Sequence, residues 1–307
     1  MAVDAGALAT GPPIRRARLR LSGFLWRRPW LKALALLSPP LAAFLIVYIG
    51  ALAVVLVSSF WSTNSFTSEI VHVWTLANYR TIFSSSGPYL HIAALTLEIA
   101  AAVTLTDAVL AFPLAFFMAR VAGKRTRAVL FVMVLLPLWS SYLVRIYAWQ
   151  TILAHNGAIN WALNGVGLPD QNLAYTTTAM WIVFSYVWLP FMVLPVYAAL
   201  ERIPDSYLEA SADLGARGAR TFRSVILPLA LPGIVAGSIF TFSLTLGDYI
   251  TPLLVGGPSS SFIGNIVYDF IGVNANIPFA AAFATVPVVV MGVYLLIARR
   301  LGAFEAL

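Results

Sequence analysis

Long uncharged apolar runs constrain this chain more than any other feature of its sequence. They lie near residues 33–60, 89–119, 128–152, 176–200, 229–255 and 280–298. A helix needs roughly 20 apolar residues to cross about 30 Å of hydrocarbon, and a barrel strand needs only about half as many. Because backbone groups in lipid must bond within their own segment, these runs predict an all-α integral membrane protein with six transmembrane helices.

Composition excludes a soluble globular domain. Of the 307 residues, 60% are hydrophobic and only 10% are charged, and the mean hydropathy is +0.86. Soluble domains carry about 25% charged residues, so this chain has too few charges to form a polar surface. The absence of cysteine also excludes disulfide frameworks and cysteine metal sites.

The basic residues predict how the helices are oriented. All 19 lysines and arginines except Arg80 and Arg145 fall on one side of the membrane if six helices alternate. Lysine and arginine mark cytoplasmic loops, so both termini, the 120–127 turn and the 201–228 loop are predicted to be cytoplasmic. The net charge of +7 is therefore a topology signal and does not require nucleic acid as a partner.

The predicted organisation is one membrane domain with short tails. Residues 1–30 form a cytoplasmic N-terminal tail, residues 31–300 the six-helix domain, and residues 301–307 a cytoplasmic C-terminal tail. The first apolar run is too long for a signal-peptide core, so we expect an uncleaved first helix. On the outer side, residues 157–168 are predicted to form a short surface helix with glycine ends.

The 201–228 loop has the pattern of a folded helical segment. Ser206 and Glu209 match an S-x-x-E capping box, which predicts that a helix begins there. Gly215 is placed to end this helix as a left-handed residue, and a second short helix is predicted to run on to Pro228. The first helix carries one stripe, formed by Tyr207, Ala210, Ser211 and Leu214. By its pattern alone, the segment fits either lipid headgroups or a protein partner.

The spacing within the loop separates these two alternatives. Glu209-Ala210, then Gly215 and, nine residues further on, Val225-Ile226-Leu227-Pro228 resemble the EAA loop of ABC-importer permeases. Ser211 and Val225 are mild departures from that signature. The resemblance implies a coupling helix that sits in a cleft of an ATPase subunit. The residues assigned to this coupling loop are Ser206, Glu209, Ala210, Ser211, Leu214, Gly215, Leu227 and Pro228.

Four further segments of this chain resemble the spermidine/putrescine permeases, in particular the first of their two membrane subunits. These segments are LLPLWSSYLVRIYAWQTIL (135–153), WLPFMVLPVYAALERIP (188–204), LGDYITPLLVGG (246–257) and GNIVYDF (264–270). The resemblance implies a type I ABC-importer permease in the bacterial cytoplasmic (inner) membrane. It also implies three kinds of partner: a second permease subunit, two copies of an ATPase, and an external polyamine-binding protein. No cofactor is expected on this chain, because ATP and Mg²⁺ belong to the ATPase.

Charged residues inside the spans indicate the sign of the cargo. Glu98, Asp107, Arg145 and Asp248 leave an acidic excess, which suits a protonated amine, and charges in spans are usually functional or paired. The alternative is that Arg145 is a structural counter-ion of Glu98 or Asp248. Asp107 is nearer the cytoplasmic end, where it could cap a helix or be solvated.

Asp248 has the strongest local pattern for binding a cation. Gly247 precedes it and Pro252 follows, and the missing amide donor of proline predicts an opened helix with free carbonyl groups. Aromatic faces can add cation–π contacts, and the candidates are Trp139, Tyr142, Tyr147, Trp149, Tyr186, Trp188 and Tyr249, of which we expect a minority to contribute. The predicted substrate pathway consists of Asp248, Glu98, Tyr249, Trp139, Tyr147 and Trp149.

Other classes of protein explain the sequence less well. A self-contained secondary transporter accounts for the buried charges but not for the loop spacing. An intramembrane hydrolase needs a nucleophile or metal set, and neither GxSxG nor HExxH occurs. The 123–126 segment, GKRT, is not a P-loop, so the chain is predicted to be no enzyme. The sequence predicts a polyamine permease subunit that works by alternating access, with another small organic solute, such as an opine-like compound, as the alternative cargo.

Overall fold

The computed structural model describes residues 29–64, 67–258 and 260–300. Most of both predicted tails, residues 1–28 and 301–307, lies outside the described residues. The chain divides into two compact units, Met1–Val57 and Ser58–Leu307. In the first unit, helix α1 (Pro29–Phe44) continues through a π turn (Leu45–Ile49) into α2 (Gly50–Ser58), whose last residue begins the second unit.

The second unit is almost entirely helical in its described residues. Its elements in chain order are β1 (Ser62–Thr63), β2 (Ile70–Val71), α3 (Ala77–Ile82), α4 (Tyr89–Phe116), a π turn (Phe117–Val121), α5 (Lys124–Leu135), a 3-10 turn (Leu136–Trp139), α6 (Tyr142–Leu153), α7 (Ala158–Gly165), α8 (Thr177–Glu201), α9 (Asp205–Asp213), α10 (Gly218–Thr221), a π turn (Phe222–Ile226), α11 (Leu227–Gly247), α12 (Ile250–Val255), α13 (Ile263–Gly272) and α14 (Ile277–Arg300). The two short strands pair antiparallel, with Ser62 opposite Val71 and Thr63 opposite Ile70.

The described residues contain five helices that are long and apolar enough to cross a membrane. They are Leu36–Ser58, Tyr89–Val121, Thr177–Glu201, Gly218–Gly247 and Ile277–Arg300. A sixth crossing exists if Lys124–Trp139 and Tyr142–Gly165, which meet at 96°, count as one bent span. The all-α membrane fold is therefore confirmed, whereas the prediction of one continuous helix over 128–152 is wrong.

The bend in the third span has a local cause. The 3-10 turn that ends α5 contains Pro137, which lacks an amide donor. The next two residues, Ser140 and Ser141, are extended, with ψ angles of 153° and 136°. The Ser140 hydroxyl donates a 2.7 Å hydrogen bond to the Pro137 carbonyl, so this backbone acceptor is satisfied without a continuous helix. Hydrophobicity alone does not report such a break.

The fifth span differs from its predicted range, 229–255, at both ends. The helix already begins at Gly218, and Pro228 marks no boundary because the π turn before it lets the helix continue. The helix then ends at Gly247, where the next residue, Asp248, has a ψ of 132°. The predicted break near Asp248 is therefore present, but Pro252 does not cause it. Pro252 occupies the first turn of α12, where its missing amide costs no helical bond.

Helices α4, α8 and α11 pack together around two apolar clusters. One cluster also receives α6 and α12, and includes Met180 and Phe184. The other lies near the 120–127 turn, and includes Met118, Met192 and Leu200. Because lipid is as apolar as these side chains, close packing rather than exclusion of water holds such helices together.

Two glycines on α11, Gly233 and Gly237, allow this helix to approach α8 closely. A Cβ atom at Gly233 would lie 2.4 Å from the Cβ of Ala199, and one at Gly237 would lie 2.7 Å from the Sδ of Met192. Both distances are far below van der Waals contact. A side chain at either position would therefore force α11 away from α8. On the outer side, the predicted surface helix is also present as α7, between Gly157 and Gly165.

Candidate functional site

Two ion pairs bring the 120–127 turn and the 201–228 loop together at one end of the second unit, which we call the basic end. Nη1 of Arg120 lies 2.8 Å from Oδ1 of Asp205, and Nη1 of Arg127 lies 3.3 Å from Oε1 of Glu201. The two segments that the charge pattern assigns to the same side of the membrane are therefore neighbours in the fold.

The capping box predicted for Ser206 and Glu209 is wrong. Helix α9 begins at Asp205, and no side chain caps its first amides. Pro204 precedes it with a φ of −66° and a ψ of 142°, and its carbonyl accepts the Tyr207 N–H at 3.1 Å. Because the proline geometry already suits the residue before a helix, the helix starts earlier than the capping motif predicts. Ser206 and Glu209 are then helix residues with exposed side chains.

Gly215 ends α9 as the sequence predicts. Its φ is +74°, in the left-handed region. The Gly215 N–H donates to the Ala212 carbonyl at 2.8 Å, and the Ala216 N–H donates to the Ser211 carbonyl at 3.0 Å. These are the two bonds of a Schellman motif, in which glycine is preferred because it has no Cβ to clash. The chain therefore turns sharply between α9 and α10.

A groove of about 470 Å³ lies between α9 and the helix that begins at Gly218. Its lining consists of Tyr207, Ala210, Ser211, Leu214, Ala216, Arg220, Ser224 and Val225. We call it the basic-end groove, and it contains the whole stripe predicted for α9. Leu214 is 87% exposed, whereas Ser211 is buried with its Oγ 3.0 Å from Oγ1 of Thr221. The groove thus combines a fixed base with an exposed apolar tip. Leu227 and Pro228 lie outside it, at the start of α11.

The break after α11 forms a second site, built around Asp248. The side chain is 7% exposed and caps the start of α12. Its Oδ1 accepts the N–H groups of Ile250, at 2.7 Å, and Thr251, at 3.2 Å. Its Oδ2 accepts the hydroxyl groups of Thr251, at 3.0 Å, and Tyr142. Four donors therefore fix the carboxylate, and the N-terminus of a helix favours a negative charge at this position.

A cavity of about 300 Å³ opens beside this carboxylate. We call it the Asp248 cavity, and it is lined by Tyr142, Trp188, Ser243, Leu244, Gly247, Asp248, Tyr249 and Ile250. The Tyr142 and Trp188 rings stack with centroids 5.7 Å apart. Tyr249 stacks on Tyr268 at 5.1 Å. Carboxylate oxygens and aromatic faces on one wall are the groups that bind ammonium ions.

The other aromatic candidates lie away from this cavity lining. Trp139 is 91% exposed at the bend of the third span. Tyr147 is half-exposed on α6, and Trp149 packs with its ring 5.3 Å from that of Tyr186. Of the predicted pathway, the structure therefore brings only Asp248 and Tyr249 together.

The predicted ion pair of Arg145 is not formed in the described part of the chain. Asp248 is satisfied by the start of α12, and Glu98 is exposed on α4. The Arg145 guanidinium instead lies 5.7 Å from the centre of the Tyr142 ring. Its Nε and Nη1 atoms are buried and have no hydrogen-bond partner among the described residues.

Asp107 also differs from its predicted surroundings. It is fully buried rather than solvated, because α4 continues well beyond it to Phe116 and remains packed against α8. Neither of its carboxylate oxygens has a hydrogen-bond partner among the described residues. The fold therefore gives Asp107 no capping role and no exposure to water.

Sequence reasoning missed two residues of these sites. Thr251 could have been found, because a threonine three residues after an aspartate follows the local pattern by which a carboxylate bonds the start of a helix. Arg120 had no local signal, since its contacts with the 201–205 segment depend on the packing of separate helices. Tyr142 was only one of seven aromatic candidates.

The apolar helices and the broken spans define a helical membrane protein, and the groove and the cavity are its two candidate sites. A family model described as "Binding-protein-dependent transport system inner membrane component" matches residues 111–303. The chain belongs to this family of ABC-transporter permease subunits, and it is a multi-pass protein of the bacterial inner membrane.

Named relatives agree with this assignment. The chain is 47% identical to the inner membrane ABC transporter permease protein YdcU of Escherichia coli, over 96% of this chain and 97% of the relative. It is 32% identical to the spermidine/putrescine transport system permease protein PotB of Salmonella typhimurium, over 85% of this chain and 90% of the relative. The resemblance stated from the sequence motifs is thereby confirmed.

The fold is also that of solved ABC importers. A chain of the bacterial alginate ABC transporter, crystallised in complex with an alginate-bound periplasmic protein, superposes with a TM-score of 0.74. The two chains are 20% identical, and the match covers 94% of this chain and 98% of the other. The type I permease architecture implied by the resemblance to the spermidine/putrescine permeases is therefore confirmed as the fold.

Proposed function

We propose that this chain is a membrane subunit of a polyamine importer and that its Asp248 cavity forms part of the polyamine pathway. One observation carries the proposal: a buried carboxylate, fixed at a helix break, shares a cavity with the rings of Tyr142, Trp188 and Tyr249. The similarity to permeases named for spermidine and putrescine transport supports the same class of cargo.

The chemistry of the cavity suits a chain of ammonium groups. An ammonium ion that leaves water needs oxygen ligands and a compensating negative charge. Oδ2 of Asp248 faces the hydroxyl groups of Tyr142 and Thr251, so an ammonium group can approach oxygen atoms that are already in place. The flanking aromatic faces stabilise the methylene chain by contact and the charge by cation–π attraction.

The basic-end groove is proposed as the docking site for a separate ATPase. Its exposed apolar tip at Leu214 and its fixed base at Ser211 suit a helix that is gripped as a rigid body. ATP and Mg²⁺ would bind to that ATPase, present in two copies, and this chain would carry neither. A second permease subunit and an external polyamine-binding protein would complete the importer.

The cargo proposal is tested by uptake of radiolabelled spermidine and putrescine into cells that express Asp248→Asn. Asparagine can still accept the amide hydrogen bonds that start α12, so the variant removes the charge and keeps the cap. We expect uptake to fall at least about tenfold, as for the loss of one charge-assisted interaction. Glu69→Gln is the matched control, because Glu69 is an exposed carboxylate outside the cavity and outside the predicted pathway, and uptake by this variant should be unchanged. If Asp248→Asn takes up polyamine at the wild-type rate, the proposed site is rejected. If the wild-type protein takes up an opine-like solute and no polyamine, the proposed cargo is wrong and the opine-like solute takes its place.

The docking proposal is tested by crosslinking, which the chain favours because it contains no cysteine. A single cysteine at Leu214 or Ala210 should form a crosslink with a cysteine placed in the cleft of the ATPase. Ala212 is exposed on α9 but does not line the groove, and a cysteine there should react far less. Uptake in cells that lack any partner ATPase would instead favour a secondary transporter.

A further inference from the structure

Arg120 joins three segments of the basic end: the end of the second span, the end of α8 and the start of α9. We propose that Arg120 is a positioning residue that transmits movement of α9 to the membrane helices α4 and α8. The inference rests on the proposed docking of an ATPase at the basic-end groove. It adds a link between that groove and the helices that must move during transport.

The contacts of Arg120 use both ends of its guanidinium group. Nη1 donates a 2.8 Å hydrogen bond to Oδ1 of Asp205, the first residue of α9. Nη2 donates to the carbonyl of Leu200, at 2.7 Å, and to that of Ile203. These carbonyls belong to the last turn of α8 and to the linker before α9, where helical partners are missing. One planar group therefore holds the end of α8 and the start of α9 at a fixed separation.

The position of Arg120 in its own segment explains how it reaches both helices. It lies in the π turn Phe117–Val121 that ends the second span, and the Ala122 N–H closes this turn on the Phe117 carbonyl at 2.8 Å. The neighbouring residues Met118 and Ala119 are buried against α8. The backbone under Arg120 is thus anchored in the helix bundle, and its guanidinium extends toward the loop.

The two side chains of the Arg120–Asp205 ion pair differ in burial, as expected for a link between the helix bundle and the surface. The Arg120 side chain is 13% exposed, whereas that of Asp205 is 83% exposed. The end in the bundle is therefore fixed by packing, and the end on α9 is accessible at the surface where the groove lies. No side chain caps the start of α9, and Leu208 further along α9 packs against the cluster that holds Met118 and Leu200. The Arg120 contact adds a polar attachment of the helix start itself to α8 and the second span.

Arg127 provides a matched control on the same turn. Its Nη1 is 3.3 Å from Oε1 of Glu201 and its Nη2 is 3.1 Å from the Ala119 carbonyl. Like Arg120, it joins the ends of the second span and α8, but it makes no contact with α9. Loss of the α9 contact therefore distinguishes the two arginines.

The experiment uses the whole importer in proteoliposomes: this chain, its second membrane subunit, its ATPase and its binding protein loaded with radiolabelled spermidine. The measured quantities are ATPase retention, ATP hydrolysis and spermidine imported per ATP. Arg120→Lys keeps the charge but loses the planar fork. We expect normal retention and hydrolysis with about a tenfold fall in spermidine imported per ATP, the factor for one charge-assisted hydrogen bond. Arg127→Lys should leave this ratio unchanged.

Two results would overturn the inference: an unchanged ratio in Arg120→Lys, or an equal fall in Arg127→Lys. If Arg120→Lys does not assemble, Asp205→Ala decides the matter, because this exposed side chain can be removed without loss of packing. We expect about a threefold lower ratio for Asp205→Ala, as for one surface ion pair, and no change there would reject the link. A wild-type chain that retains no ATPase would reject the proposed function itself, which is a different outcome.

Discussion

The basic-end groove and the Asp248 cavity differ in how the helix beside each of them begins. At the groove, α9 begins after Pro204 without a side-chain cap, and Leu214 remains exposed at its other end. At the cavity, α12 begins under the buried carboxylate of Asp248, which has four donors. The groove therefore offers a surface that another protein can cover, whereas the cavity holds a charge in one place. A transporter needs both, and the fold separates them at the two ends of α11.

The largest expected effect is the loss of docking in Leu214→Asp. A carboxylate at the exposed apolar tip would have to be desolvated against the partner, so ATPase association should weaken by at least about 100-fold, or roughly 3 kcal/mol. Co-purification and a titration of ATPase binding measure it. The same charge in Ala212→Asp, outside the groove, should have little effect. Equal weakening by both variants would show that the groove has no special part in docking.

A smaller effect is expected when Gly215 is replaced by valine. A β-branched residue is strained at a φ of +74°, at a cost of about 1–2 kcal/mol. Proteolysis near the loop should become faster, while polyamine binding at the Asp248 cavity stays unchanged. Gly218→Val is the control, because Gly218 has open space around its Cβ position and no positive φ. Comparable proteolysis of the two variants would argue against the Schellman motif.

The next prediction separates docking from helix stability at Glu209. Because Glu209 does not cap α9, Glu209→Ala should change the free energy of unfolding by less than about 0.5 kcal/mol. Any loss of ATPase association in this variant would then come from the docked surface. Thermal unfolding of the purified subunit supplies the measurement. If the free energy of unfolding falls by about 1 kcal/mol, the value expected for loss of an N-cap, Glu209 does cap α9 and the capping-box prediction stands.

The smallest expected effect is the coupling between Asp248 and Arg145. Asp248 and Arg145 have no direct contact, but Tyr142 is a neighbour of both. Asp248→Asn and Arg145→Gln should therefore couple by only about 0.5 kcal/mol in a double-mutant cycle on unfolding, the lower end for residues that share a partner. A structural ion pair predicts the contrary, with the double variant more stable than either single variant. Rescue of assembly in the double variant would therefore contradict the geometry described for the Asp248 cavity.

The same contrast explains how much of each site the sequence could predict. The groove stripe and Gly215 lie within nine consecutive residues, so helix periodicity and C-terminal glycine chemistry locate them without the fold. The Asp248 cavity combines Tyr142 of α6, Trp188 of α8 and Asp248 from the break after α11, and no local pattern selects the first two from other aromatic residues. The start of α9 was mispredicted because two local signals compete there, and proline geometry overrides the capping motif.

The long spans were predictable in position but not in shape. Apolar length locates four of them within a few residues among the described helices, whereas the span predicted at 229–255 runs from Gly218 to Gly247. It does not reveal the 96° bend at Ser140 and Ser141, because apolar residues lie on both sides of these two serines. The bend depends on Pro137 and the two serines. A hydropathy average over the whole span does not distinguish these residues from their neighbours.

Because of the π turn at Phe222–Ile226, the orientation of the groove residues before it depends on the exact number of residues in this turn. A π turn holds one residue more than an α turn, and one residue corresponds to about 100° of helix rotation. Deletion of a single residue here would leave a regular α-helix with the same hydropathy and the same spans. The lining residues that precede the deletion, Arg220 among them, would then point about a quarter-turn away from the Gly233 face that packs on α8. Loss of the single codon for Arg223, which does not line the groove, would therefore re-aim this surface without changing any of its lining residues.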